Sequence, residues 1–143
     1  MARQTLLTTK GLVHKVGGLN WGSNSTNHTR LLDAYIPIHA STIKTNIGLI
    51  PQKNAFQHVV LHWDDGIIMD GLFEGTYIER STGLIYPKQI SSFPHKNTLG
   101  IYFRRRLGIV GNRPIIMADL NAYRRSHVDI IHLGANNYSI DFH

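Results

Sequence analysis

The sequence contains no cysteine, which removes any disulfide framework, any thiolate-ligated zinc or iron–sulfur centre and any thiol nucleophile. Redox chemistry is therefore not expected of it. No apolar run approaches the roughly 20 residues of a membrane-spanning helix. The start, MARQTLLTTKG, has neither the apolar stretch nor the small-residue cleavage site of a secretory signal. These absences lead us to expect a soluble cytoplasmic protein with no membrane partner. Acids are also scarce, nine Asp and Glu against fifteen Lys and Arg for a net charge of +6, and they are segregated. Asp64, Asp65, Asp70, Glu74 and Glu79 crowd one central segment, whereas Met1 to Leu32 and Arg80 to Ala118 hold none. No linker, low-complexity tract or repeat divides the 143 residues, and that length suits one domain, 1–143, with its own core.

The acid-free segments are rich in other groups. One carries Arg80, Lys88, Lys96, Arg104, Arg105, Arg106 and Arg113; the other contains GGLNWGSNSTNHTR, residues 17–30. Unneutralised bases beside amides and hydroxyls fit a polyanion partner, because phosphates take point charges while base edges take Asn, Gln, Ser and Arg. A basic surface with no partner has the same composition, so composition alone does not separate the two.

Short strand-like runs dominate the pattern. GLVHKV (11–16) alternates as a strand, and AYIPI (34–38) reads as an edge strand because Pro37 has no N–H to donate. ASTIKTN (40–46) predicts one short helix begun by a hydroxyl cap. QHVVLHW (57–63), the turn DDG and IIMDGLF (67–73) predict a hairpin, and TYIER and LIYPKQI predict two further strands joined at Ser81 to Gly83. SSFPHKN is irregular. NTLGIYFRRRLG (97–108) is the best helix, with Asn97 or Thr98 as cap, Leu99, Tyr102, Phe103 and Leu107 on one face, and Gly108 as its stop. A second helix is expected near Met117 to Tyr123, and HVDIIHL, GANN and YSIDF close the chain as a hairpin. The sum, about seven strands and two or three short helices, is mainly β and points to a barrel or sandwich.

Catalytic patterns are weak. His58 and His62 would share a face at zinc-site spacing on a helix, but the intervening Val59, Val60 and Leu61 favour a strand, which sets them roughly 13 Å apart. No lysine follows an acid by two residues, as metal-dependent nucleases of the common type require, and the His-x-Lys of phospholipase-D nucleases is missing. Asp64 and Asp65 beside Gly66 read as a turn. No metal or cofactor is expected. The competing reading is a small nuclease built on His58, His62, Asp64 and Asp65.

The blocks LLTTKG, GLNWG, AYIPI, PKQISS, NTLGIYFRRRLG and YSIDF, in that order, resemble the carboxy-terminal domain of phospholipase-D-type restriction endonucleases over nearly the whole chain. The resemblance implies a seven-stranded open pseudobarrel of plant-B3-like fold that grips double-stranded DNA from the major-groove side with two arms. It further implies a bacterial parent in which an amino-terminal phospholipase-D-type nuclease domain does the cutting. The first arm maps onto Asn20, Trp21, Ser23, Asn24, Asn27, His28 and Arg30. The second maps onto Lys88, Gln89, Ser91, Ser92, His95, Lys96 and Asn97. Trp21 has two further readings, packing under its loop or filling the barrel mouth. Arg104 and Arg105 are either phosphate contacts or part of a solvated helix face. A stand-alone reader of DNA modification with the same fold is a third possibility.

Overall fold

The computed structural model describes residues 1–23, 29–53 and 57–143. Alternation of buried and outward residues builds most of its strands. In β3 (His58–Trp63), Val59, Leu61 and Trp63 point inward, and in the closing strand β9 (Asn137–Asp141), Tyr138 and Ile140 do so. The remaining main-sheet strands are β1 (Ala2–Thr5), β2 (Ile36–Pro37), β4 (Ile68–Glu74), β7 (Gln89–Ser92) and β8 (His127–Gly134), and β5 (Tyr77–Glu79) with β6 (Leu84–Tyr86) makes a separate ribbon. The main sheet runs β1-β8-β9-β3-β4-β7-β2. Its neighbours are antiparallel except for β3 and β9, which run parallel. This is the mainly β, seven-stranded pseudobarrel that the resemblance implies, nearly closed and with one seam, between β1 and β2.

The Gln4 side chain spans that seam. Gln4 is fully buried, and its Oε1 accepts from the His39 backbone N–H at 3.1 Å and from the Thr42 hydroxyl at 2.5 Å, while its Nε2 donates to the Thr5 carbonyl at 2.8 Å. Thr42 belongs to α1 (Ala40–Thr45), so β1 is tied to the chain leaving β2. The barrel end is filled by α2 (Asn97–Leu107), whose Leu99, Tyr102 and Phe103 are buried. Phe103 meets Phe142 edge-on at 5.1 Å and Trp63 at 5.5 Å, a geometry aromatic quadrupoles favour.

Arg106 locks the same end. It donates to both Asp64 oxygens (3.1 and 2.8 Å), to the hydroxyls of Tyr102 (2.7 Å) and Tyr123 (2.9 Å), and to the Phe142 carbonyl at 3.0 Å. Tyr123 ends α3 (Met117–Tyr123), so one guanidinium joins two helices, the β3–β4 turn and the residue that follows the last strand. Burial opposes the charged form of Asp64, yet the bonds from Arg106 and from the Phe142 N–H outweigh it and hold the carboxyl below its ordinary value.

Several sequence expectations need correction. GLVHKV is not a strand: the chain turns at Thr8 and Gly11, where Gly11 has φ +77°, and Leu12 and Val16 stay exposed. The first strand is instead Ala2–Thr5, paired with β8. Neither predicted side-chain cap forms. His39 precedes α1 with no side-chain cap bond, and Lys96 stands at the N-cap of α2. The Leu99 N–H is satisfied from outside the helix, by Ser92 Oγ at 3.0 Å. Ser91 and Ser92 are not irregular: they pair with Leu72 and Gly71 of β4 as strand residues.

Two outcomes test these ties. Gln4→Leu strands the His39 N–H and the Thr42 hydroxyl and is expected to lower unfolding stability by about 2 kcal/mol in urea titration. For Asp64, the folded carboxyl ionises at a lower pH than the unfolded one. Its contribution is thus full above about pH 4 and is lost as pH falls through the folded value. The urea midpoint of the wild type should drop more steeply on acidification than that of Asp64→Asn.

Candidate nucleic-acid interface

The first predicted arm is rooted by a kinked 3-10 stretch, Gly18–Ser23. Asn20 is buried inside this root, where it behaves as a piece of backbone. Its amide nitrogen donates to the carbonyls of Ile115 (2.8 Å) and His14 (2.9 Å), and its oxygen accepts the Ile115 N–H at 2.8 Å. Trp21 is half-buried and stands edge-on to Tyr35 at 5.1 Å, while Ser23 is exposed. Asn24, Asn27 and His28 lie outside the described residues. The chain returns through Arg30, whose side chain is exposed and whose N–H donates to Asp33 Oδ2 at 2.8 Å.

The second predicted arm runs along β7 to the start of α2. Lys88 is exposed, Gln89 is half-buried, and Ser91 and Ser92 are buried with their hydroxyls engaged, Ser91 with Glu74 and Ser92 with the His95 carbonyl at 2.6 Å. His95 is exposed; Lys96 and Asn97 are half-buried.

The two roots meet. Arg30 and Asp33 from the first, with Pro94, His95, Lys96 and Asn97 from the second, line one open cleft of about 350 Å³. The Ala34 N–H donates to the Lys96 carbonyl at 3.3 Å, and the Lys96 ammonium sits 4.9 Å from the centre of the Trp21 ring. The first turn of α2 carries no acid, so the positive end of its dipole adds to the bases around the cleft. Glu74, at the end of β4 and opposite Gln89 in the register, accepts from Lys96 through both oxygens at 2.8 and 2.9 Å. Burial works against the Glu74 charge, but the bonds from Lys96, Ser91 and Gln89 prevail and hold its carboxyl below the ordinary value.

The family model of the NgoFVII C-terminal B3-like DNA-binding domain matches residues 2–134. The chain belongs to this family. It is a DNA-binding domain of the B3-like kind that restriction endonucleases use for recognition, and the match takes in the seam strand β1, both arm roots and the cleft. No curated protein matches the sequence.

Within this B3-like domain, the arginines at the far end of α2 do not join the cleft. Arg105 lies roughly 13 Å along the helix from Lys96 at about 1.5 Å rise per residue. It is exposed and sits 3.7 Å from Asp65, beside a separate groove formed by Ile67, Ile68, Met69, Thr98 and Ile101. Arg104 is buried and donates to the Arg113 carbonyl at 2.6 Å. The groups of the nuclease reading are each engaged elsewhere: His62 bonds Asn137 at 3.0 Å, His58 packs on Phe93 at 4.5 Å, and Asp64 and Asp65 hold Arg106. Among the described residues, no three His, Cys, Asp or Glu side chains come together in an arrangement that could hold a metal. No described helix is long and apolar enough to cross a membrane.

Sequence reasoning missed two residues that shape the cleft. Glu74 is one; its only signal was an acid at the end of an alternating strand. Gly100 is the other. A Cβ there would lie 1.7 Å from the Leu32 carbonyl oxygen, so the glycine lets α2 touch the backbone of the first root. Alanine raises helix propensity by about 1 kcal/mol. The clash is with backbone, however, which has no rotamer to yield. Gly100→Ala is thus expected to lose about 1 to 3 kcal/mol of stability despite the better propensity, measured by thermal or urea unfolding.

Proposed function

We propose that this B3-like domain reads a specific sequence in double-stranded DNA from the major-groove side, as the target-recognition part of a bacterial restriction endonuclease whose phospholipase-D-type nuclease domain lies outside this chain. The observation that carries the reading is the convergence of both arm roots on one cleft edged by Arg30, His95, Lys96 and Asn97. Trp21, Ser23 and Arg30 then supply contacts from the first arm, continued by Asn24, Asn27 and His28. Lys88, Gln89, His95, Lys96 and Asn97 supply those from the second. Arg and Lys suit guanine O6 and N7 or phosphate, and Asn and Gln suit adenine N6 and N7. Asn20, Ser91, Ser92 and Arg104 serve the scaffold, since they are buried and the bonds they make lie inside the fold.

The domain itself is a reader in this proposal and leaves cutting to its partner domain in the cytoplasm. Supporting this, each side chain of the nuclease reading has a packing or bonding role of its own.

Selection from random duplex DNA, followed by sequencing, is expected to return one defined site. Arg30→Ala should weaken binding to every duplex and reduce the slope of log K against log salt by about 0.9. Gln89→Ala should relax one position by about 1 to 3 kcal/mol. Equal affinity for all duplexes would overturn the reading.

A further inference from the structure

We infer that Glu74 is a positioning residue that occupies Lys96 in the DNA-free domain and competes with DNA phosphate for it, holding down affinity for arbitrary duplexes. The inference deepens the DNA-reading proposal above.

A carboxylate is out of place on a surface that meets a polyanion, yet this one is built in. Glu74 and Gln89 face each other across β4 and β7. Both Glu74 oxygens accept from the Lys96 ammonium, Ser91 Oγ donates to the same carboxylate, and Gln89 Nε2 approaches it at 3.4 Å. The side chains of Lys96 and Glu74 are 34% and 26% exposed, so solvent and a ligand reach the pair. Lys96 also rests beside the Trp21 ring, which brings the first arm's root to the same point. One carboxylate thus gathers three of the proposed contact residues or their neighbours.

This arrangement has an electrostatic consequence. A free surface lysine that reaches a phosphate displaces a condensed counterion, and each such contact steepens the salt dependence by about 0.9. Lys96 is already neutralised. When it turns to a phosphate it leaves Glu74 bare beside the backbone, and Glu74 recruits a cation in return. The exchange gains little Coulomb energy, and net counterion release is smaller than the cleft's cations alone would provide. Charge-driven binding to any sequence is thereby suppressed, and base contacts carry a larger share of the total.

The test is the salt dependence of binding to a random-sequence duplex and to a selected site, measured for the wild type, Glu74→Gln, Lys96→Met and the double variant. Glutamine keeps an acceptor for Lys96 and Ser91 while removing the charge. Glu74→Gln is expected to bind the random duplex roughly five-fold tighter, the Coulomb energy of unit charges about 4 Å apart in water. Its salt slope should be steeper by about 0.9, and its preference for the selected site should shrink. Lys96→Met should change the wild-type slope by less than half that amount and should undo the gain in the Glu74→Gln background. Weaker binding to every duplex with an unchanged slope in Glu74→Gln would overturn the inference, leaving Glu74 as a structural tie. If Glu74→Gln does not fold, Lys96→Met alone decides: a full loss of about 0.9 in slope with Glu74 intact also overturns it. A wild type that binds all duplexes equally defeats sequence reading, while the slopes still settle the role of Glu74.

Discussion

The close approach of α2 to the backbone of residues 30–34 is the constraint on which the cleft proposed to meet DNA depends. It exists because residue 100 has no side chain, so the Leu32 carbonyl can sit where a Cβ would be. From that contact the geometry of the face follows. The helix end presents His95, Lys96 and Asn97 to Arg30, and the buried Ser92 hydroxyl fixes where the helix begins. Opposite Gly100 in purpose stands Asn20, which pins the first root to Ile115 by a two-way amide exchange equivalent to one rung of a strand ladder. The segments mapped as arms are polar, but their anchors are bonded and packed like a core.

Most of the few acids are consumed in construction. Asp64 and Asp65 bind Arg106, Asp119 binds Arg113, Asp129 binds Arg125 and Arg3, and Glu79 binds Lys44. Among the described residues, Lys10, Lys15, Arg30, Lys53, Arg80, Lys88, Arg104 and Arg124 form no ion pair, and all of these but the buried Arg104 reach the surface, where they can meet an anion. The pairs differ in worth. The Arg106 pair is shielded and multiply bonded, so losing one partner strands the other in a poorly solvated place, whereas half-exposed pairs such as Lys44 with Glu79 contribute little.

Much of this was legible in the sequence where periodicity and chain geometry are local. The β3–β4 hairpin announced itself through alternation and Asp-Asp-Gly, α2 and α3 through apolar spacing, and the edge position of β2 through Pro37. Legibility failed where a distant partner decides. Leu12 to Val16 alternates but has no strand to pair with, while Ala2–Thr5, short and half polar, becomes a strand because β8 offers it an edge. Asn20 looked like a contact because amides read bases, but the same amide serves as well inside a fold. Composition cannot tell those uses apart; only the position of Ile115, 95 residues away, does.

The order of the strands also bears on how the chain reaches its native state. β1 pairs with residues near 130, and β9 is inserted between β8 and β3, so neither the opening nor the middle of the sheet exists until the final segment arrives. Contacts of such long sequence separation slow folding, because loop entropy is lost before packing compensates it. During synthesis the β3–β4 hairpin and the short ribbon can form early, but their inner faces stay uncovered. Closing the sheet therefore requires β8 and β9, which an N-terminal fragment of the domain lacks.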